Sequence, residues 1–245
     1  MEAYEPTIDN YFVLVYGGSG SGKTHLTSTL GELGSVLNID ADLGGTTIVT
    51  APTLAKYRDN ITLCKFRQFK DIDQVAKLMD KNDPDEWNKI IGSKVTKPFD
   101  WFVFDTWTEV QWIMMTKLRK DADRSGGGRL DFRKNIEIQH WGMLTDLNKL
   151  CTETFKEMER NIVFNMQEVI VHDDVSGFTY GGPAIHGKMV KEMPAYFNAV
   201  IHTSNSASGA FIASTKRKGF FDAKTRYGVG KEVQDPTMKV MLDID

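Results

Sequence analysis

The chain has 245 residues, of which 41% are hydrophobic and 26% are charged, and its formal net charge is −3. These values are ordinary for a globular domain and exclude a disordered or fibrous chain. The acidic balance indicates that the molecule as a whole is not a basic nucleic-acid binder, so any such role depends on local basic patches.

The composition also limits the compartment. Cys64 and Cys151 lie far apart and form neither a CxxC pair nor a disulfide framework. The N-terminal residues lack the apolar stretch of a signal peptide, and no segment reaches the ~20 apolar residues of a membrane helix. We therefore expect a cytoplasmic protein without membrane association, with a short arm at residues 1–10 and a single domain over residues 11–245.

Strand and helix patterns alternate through most of the chain. An unbroken β-prone run at residues 11–16 predicts a strand buried on both faces, and further strands are predicted at residues 36–39, 101–104 and 161–166. Helical spacing of apolar residues predicts helices at about 23–33, 71–80, 108–120 and 136–160. Short β-like runs follow at 200–203, 211–215 and 238–244. This order predicts an α/β fold with a mostly parallel central sheet, flanking helices and antiparallel strands at the C-terminal edge.

Two segments rich in glycine and polar residues, 125–129 and 171–188, are predicted to be loops. The spacing of Trp107, Trp112, Met115 and Trp141 predicts that these side chains belong to buried helix faces.

Residues 17–24 match the phosphate-binding pattern GxxxxGK[ST] at each fixed position, between a predicted strand and a predicted helix. Glycines allow backbone N–H groups to surround phosphates, and the helix N-terminus adds a positive dipole end. Lys23 would supply a charge to the β- and γ-phosphates, and the Thr24 hydroxyl is a Mg²⁺ ligand. The predicted cofactors are ATP and Mg²⁺. The predicted binding residues are Gly17, Gly18, Ser19, Gly20, Ser21, Gly22, Lys23, Thr24 and His25.

Acidic residues follow two of the predicted strands. Asp105 ends the run 101–104, which is the Walker B pattern of a carboxylate that holds Mg²⁺ together with Thr24. The alternative is that Asp105 caps the following helix. Asp40 and Asp42 end the run 36–39, and either residue fits a water-orienting base or a turn.

Together these features resemble the RecA/RadA core ATPases. Residues 39–42 resemble the RecA segment Ile-Asp-Ala-Glu, whose glutamate activates water, and this implies that Asp42 is the base despite its shorter side chain. Gln167 matches the glutamine that senses the γ-phosphate. Lys224 and Arg226 resemble the Lys-x-Arg segment of RadA and DnaB-type proteins, which implies contact with the ATP of a neighbouring subunit. A solvated basic hairpin is the alternative for these two cations.

More narrowly, the chain is similar to compact RecA-like ATPases of bacteriophages that act as single-strand annealing recombinases. The similarity lies in the P-loop and in residues 38–42, 102–106, 133–141, 187–188 and 194–197. It implies an ATPase stimulated by single-stranded DNA, a homo-oligomer with ATP at subunit interfaces, and a location in the cytoplasm of a bacterial host. A single-strand-binding protein is an additional candidate partner.

Two loops contact DNA in RecA-like cores, and here they correspond to residues 120–134 and 171–188. Residues 117–134 contain seven cations against three carboxylates, and a basic, glycine-rich loop suits a phosphate backbone. A solvent-exposed loop with scattered charges is the alternative. The predicted DNA-binding residues are Arg124, Arg129, Arg133, Lys134 and Lys188.

Two other functions fit the same sequence. An ATP-gated replication or recombination accessory module would recruit a protein partner and bind DNA poorly, and the acidic balance favours it. A small P-loop kinase would need an acceptor pocket and a lid.

Overall fold

The computed structural model describes residues 10–92, 95–125, 137–172, 174 and 177–244. Within this part of the chain ten strands form the sheets: β1 Phe12–Gly17, β2 Val36–Asp40, β3 Ile61–Lys65, β4 Trp101–Asp105, β5 Ile162–His172, β6 Thr179–Pro183, β7 Ala199–Asn205, β8 Phe211–Ser214, β9 Lys224–Thr225 and β10 Glu232–Gln234. The α-helices are α1 Lys23–Ser28, α2 Thr46–Thr50, α3 Lys70–Lys81, α4 Pro84–Ile91, α5 Trp107–Ser125, α6 Ile138–Glu157, α7 Met189–Tyr196 and α8 Met238–Met241. Two 3₁₀ helices cover Thr29–Glu32 and Pro52–Asn60.

The main sheet has the order β10-β8-β7-β1-β5-β4-β2-β3. The six strands from β7 to β3 pair in parallel, whereas β8 and β10 are antiparallel and extend the β7 edge. Strand β9 pairs antiparallel with β7, and β6 pairs antiparallel with β5. The predicted α/β fold with antiparallel strands at the C-terminal edge is therefore confirmed.

Burial on both faces of the sheet explains why its central strands are mostly apolar instead of alternating between apolar and polar residues. Every residue of β1, β2 and β4 is buried. Phe12, Leu14 and Tyr16 face a core built mainly with α3 to α7, whereas Val13 and Val15 face a smaller core built with α1 and α8. Side chains alternate across a strand, so one continuous run supplies both layers.

The prediction of a strand at 238–244 is wrong, because Met238–Met241 is a short helix. Met238, Met241 and Leu242 are buried, while Val240 is 46% exposed. The Thr237 side chain accepts a hydrogen bond from Val240 N and caps the helix. An alternating run this short fits both the period of a strand and that of a helix, and the contacts with the core decide between them.

Two further predictions need correction. The strand predicted to end at Gln167 continues to His172 and pairs with Thr179–Pro183, so much of the loop predicted at 171–188 is a β-hairpin. Trp112 was expected in the core but is 47% exposed, whereas Trp107 and Met115 are buried as predicted. In addition, α1 ends at Ser28 and a 3₁₀ helix continues to Glu32.

None of the helices in the described part of the chain combines the length and the apolar character needed to cross a bilayer.

Removing the ring of Phe164 should destabilise the fold. This buried ring stacks on Trp107 at 4.3 Å and contacts Phe104 and Phe197. We expect Phe164→Ala to lower the free energy of unfolding by about 3–5 kcal/mol, since it leaves a cavity in a close-packed core. Ile138, which is 91% exposed, supplies the control Ile138→Ala, expected to change stability by less than about 0.5 kcal/mol in the same urea titration. Equal midpoints for the two variants would contradict this role of Phe164.

Candidate nucleotide site

The loop between β1 and α1 has a backbone that requires glycine. Gly20 and Gly22 adopt φ values of 72° and 89°, in the left-handed region that other residues rarely adopt. A Cβ on Gly17 would overlap the carbonyl oxygen of Thr203, and one on Gly22 would lie 2.8 Å from the Phe211 ring. The glycines therefore allow a tight turn that also fits closely against β7 and β8.

Lys23 is the first residue of α1, directly after this loop, and is 6% exposed. Its Nζ donates hydrogen bonds to Gly17 O at 2.9 Å and Gly18 O at 2.8 Å, and it reaches Gln167 Oε1 at 3.3 Å. Burial lowers the pKa of Lys23, and the nearby negative charge of Asp105 opposes this effect. The ammonium group is thus held at the loop by neutral oxygens, which the phosphate oxygens of a nucleotide would replace favourably.

Asp105 and Thr24 meet at the predicted metal position. Thr24 Oγ1 donates to Asp105 Oδ2 at 2.9 Å, and Asn165 Nδ2 donates to Asp105 Oδ1 at 3.0 Å. Asp105 is 2% exposed; burial raises its pKa, and the two hydrogen bonds act in the opposite direction. The backbone N–H of Glu109 in the first turn of α5 is directed at Thr106 rather than at Asp105, which argues against the capping alternative.

This pair of oxygens fits Mg²⁺, which takes one or two protein oxygens and completes its octahedron with water and phosphate oxygens. Among the described residues no group of three or more His, Cys, Asp or Glu side chains is placed to hold a metal by itself. Phosphate oxygens of the nucleotide would therefore be needed to complete the shell around Thr24 and Asp105.

The structure separates Asp40 from Asp42, which the residue types alone left equivalent. The buried carboxylate of Asp40 accepts hydrogen bonds from Gly44 N at 3.0 Å and Gly45 N at 3.1 Å, so it supports the turn after β2. Burial raises the pKa of Asp40. Asp42 is exposed and lines the same cavity as Lys23 and Thr24. Asp42 also accepts a hydrogen bond from Gly44 N at 2.8 Å, so both carboxylates support the turn, but of the two only Asp42 lines this cavity.

The cavity at this site has a volume of about 430 Å³, within the usual range for a ligand pocket. Its aromatic wall combines His25, which was predicted, with Phe211, which sequence reasoning missed; their ring centroids are 5.2 Å apart. His25 Nε2 also contacts Thr53 Oγ1 at 3.0 Å. Phe211 begins a predicted β-like run, and nothing in its local pattern indicates that it packs on Gly22.

A second pair missed by sequence reasoning lies beside the loop. His202 Nε2 donates to Glu168 Oε2 at 3.1 Å, and Glu168 Oε1 would be 3.2 Å from a Cβ on Gly18. His202 is 6% exposed and stacks on Phe221 with a centroid distance of 4.2 Å. Burial lowers the pKa of His202, and the hydrogen bond with Glu168 opposes this effect.

Lys224 and Arg226 lie away from the nucleotide cavity of their own chain. Lys224 pairs with Val200, three residues before Thr203, which is the partner of Gly17. Arg226 N donates to Asn198 O, which lies two residues before Val200 and so still further from the phosphate loop. Burial lowers the pKa of Lys224, and the positive charge of Arg226 adds to this effect. Their action on a neighbouring subunit stays a prediction.

Most of the predicted DNA-binding residues fall outside the described part of the chain. Neither the backbone nor the side chain of Arg129, Arg133 and Lys134 belongs to the described residues. The side chain of Arg124 is also outside it, although its backbone belongs to α5. Lys188 directly precedes α7, and its Nζ is 3.7 Å from the carboxylate of Glu192. Their contact with DNA stays a prediction.

A glycine loop with its buried lysine, next to a hydroxyl–carboxylate pair on a parallel sheet, defines a P-loop nucleoside triphosphatase. A family model described as an AAA domain matches residues 9–227. The chain therefore belongs to the AAA domain family, and nucleotide binding and ATPase activity in general follow from this membership. Comparison with curated proteins found no match.

Removal of the Lys23 charge should weaken nucleotide binding. We expect Lys23→Ala to raise the Kd for a fluorescent ATP analogue about 10- to 150-fold, because hydrogen bonds to charged groups contribute about 1.5–3 kcal/mol. Lys77 is exposed on α3 and outside the cavity, so Lys77→Ala serves as the matched control and should bind like the wild type. An unchanged Kd for Lys23→Ala, with normal circular dichroism, would contradict the assignment of this loop.

The buried His202 should make the fold sensitive to mild acid. Its folded-state pKa lies below the usual value, so the unfolded chain binds a proton that the folded chain does not. Stability is then complete above about pH 6.5 and decreases as the pH falls below that value. We expect the fall in Tm between about pH 7.5 and about pH 5.5 to be smaller in His202→Gln, where the glutamine amide can still donate to Glu168.

The dependence of Tm on pH should not disappear completely in His202→Gln, because burial also lowers the pKa of His25 and of His186. Identical slopes for wild type and His202→Gln would contradict the prediction.

Proposed function

We propose that this ATPase is a RecA-like DNA recombination protein that acts on single-stranded DNA, with ATP bound between subunits of a homo-oligomer. The observation that carries the proposal is the contact of Gln167 Oε1 with Lys23 Nζ at 3.3 Å. Gln167 is the residue at which β5 leaves the parallel sheet, and the next residue begins its pairing with β6. A side chain at the expected γ-phosphate position therefore begins a hairpin that extends to the protein surface.

The proposed chemistry is direct attack of water on the γ-phosphate, without a covalent enzyme intermediate. Lys23 would exchange its contacts with Gly17 and Gly18 for phosphate oxygens. Thr24 and Asp105 would hold Mg²⁺, which when bound neutralises the charge that develops on the phosphates. Asp42, at the edge of the cavity, would orient the water. Lys224 and Arg226 of an adjacent copy would stabilise the transition-state charge.

The link between nucleotide and DNA would run through Gln167. Its backbone N–H donates to Thr108 Oγ1 at 3.0 Å, so β5 is tied at this point to the first turn of α5. Helix α5 ends at Ser125, so it includes the first residues of the basic segment 117–134 for which DNA contact is predicted. A change in the Gln167 contacts when the γ-phosphate binds or leaves would therefore affect the segments from which both predicted DNA-binding loops begin.

The test is the rate of ATP hydrolysis with and without single-stranded DNA, between about 50 mM and 200 mM salt. We expect stimulation by DNA, and the DNA concentration for half-stimulation should rise about tenfold over this range if two or three phosphates are contacted. In a plot of the logarithm of this DNA concentration against the logarithm of the salt concentration, Arg129→Ala/Arg133→Ala should lower the slope by about 1.4. The exposed pair Lys77→Ala/Lys81→Ala is the matched control for loss of two charges and should keep the wild-type slope.

Two outcomes would contradict the proposal and indicate another function. A hydrolysis rate that is abolished by Lys23→Ala but indifferent to DNA would leave the ATPase and favour an accessory module that recruits a protein partner. Transfer of phosphate to a small acceptor would indicate a kinase.

A further inference from the structure

A second cavity, of about 220 Å³, lies between α5, α6, β5 and the segment that follows β6. Three aromatic side chains form much of its wall. Trp141 stacks on His186 at a centroid distance of 3.8 Å, and Trp112 meets Trp141 edge-on at 6.2 Å. Trp112 is 47% exposed, so a large aromatic surface at the cavity mouth is open to solvent. Burial lowers the pKa of His186, which favours a neutral ring in this stack.

Gln111, which lines the cavity, has a buried polar atom without a partner among the described residues. Gln111 is 6% exposed, and its Nε2 donates to Ala184 O at 2.7 Å. Its Oε1 accepts no hydrogen bond from any residue that the structure describes. A buried acceptor left unpaired is costly, and such groups in native proteins normally have a partner. The cavity therefore suits a flat ligand that stacks on an aromatic ring and that donates one N–H to Gln111 Oε1 once this side chain turns its buried oxygen to the cavity.

The wall of this cavity is joined to the nucleotide site. Thr108 Oγ1 donates to Ala184 O at 3.4 Å and accepts from Gln167 N at 3.0 Å. Thr108, Gln111 and Ala184 all line the cavity, while Gln167 touches Lys23. An occupant would thus lie two hydrogen bonds from the P-loop lysine.

A basic hollow continues from the same helix. One turn after Trp112, the side of α5 that carries Thr116 and Lys120 faces Arg67 and Lys70. Lys117 also borders this hollow and pairs with Asp121, its acidic lining residue. A surplus of cations beside an aromatic pocket matches a ligand that combines phosphates with flat bases.

We propose that the aromatic pocket binds one base of single-stranded DNA, with the neighbouring phosphates in the basic hollow; this inference rests on the proposed function. The base stacks at Trp112 and Trp141, and the Gln111 side chain turns so that its Oε1 accepts an N–H of the base. Every base has a π-face and a donor group, so the pocket accepts bases without strong sequence preference. Occupancy of the pocket affects the nucleotide site through the hydrogen bonds of Thr108 with Gln167 and of Gln167 with Lys23.

The first experiment measures fluorescence anisotropy of the full chain with a short oligo(dT) and with an abasic strand of equal length. We expect the wild type to prefer oligo(dT) about 5- to 150-fold, the range expected for stacking of a single base. Trp112→Ala should lose this preference while its affinity for the abasic strand stays the same. Leu150 is exposed on α6, nine residues from Trp141 and so on the opposite side of that helix. Leu150→Ala is therefore the control and should retain the preference.

The second experiment changes the ligand and leaves the protein intact. The N3–H group is the only ring donor of thymine, so N3-methylthymine can still stack but cannot bond to Gln111 Oε1. We expect oligonucleotides of this base to bind about fivefold more weakly than oligo(dT). In Gln111→Met the two oligonucleotides should bind equally.

The outcomes separate this inference from the proposed function. Equal binding of oligo(dT) and the abasic strand, or an unchanged preference in Trp112→Ala, overturns the base pocket and leaves DNA binding in place. Failure to bind either strand at low salt overturns DNA binding itself, and the pocket with it.

Discussion

Strand β5 lies between β1 and β4 and pairs with both in parallel. The phosphate loop and the Walker carboxylate therefore follow strands that do not touch, and side chains of β5 fill the space between them. Asn165 contacts Asp105 and Thr27, and Gln167 contacts Lys23. The geometry of the whole site depends on this single strand, since a shift of its register by one residue would turn Asn165 to the other face.

Burial acts in opposite directions on the two charged groups of the site. It lowers the pKa of Lys23 and raises the pKa of Asp105, because a low dielectric disfavours the charged form of each. Hydrogen bonds from Asn165 and Thr24 oppose the effect on Asp105, and the negative charge of Asp105 opposes the effect on Lys23. Phosphates and a divalent cation add charges of the opposite sign beside each group. Ligand binding therefore favours the charged forms that burial disfavours.

Strand β5 extends five residues beyond Gln167 into its hairpin with β6, and Thr108 connects it there to α5. Under the proposed function, the same short path joins ATP at one end to DNA at the other. Coupling of this kind is reciprocal, so the factor by which ATP changes the affinity for DNA equals the factor by which DNA changes the affinity for ATP. Thr108 and Gln167 are the residues through which such coupling would act.

The sequence by itself determined the parallel α/β fold, the phosphate loop and the position of Asp105 at a strand end, because each depends on a local pattern in a recognisable strand context. Gln167 was indicated only by the resemblance to RecA. Tertiary structure alone separated the buried Asp40 from the exposed Asp42 and made Met238–Met241 a short helix, since contacts with the rest of the fold decided both. It also brought Phe211 onto Gly22 and His202 onto Glu168. These pairs are far apart in the chain, and only the strand order of the sheet makes them neighbours.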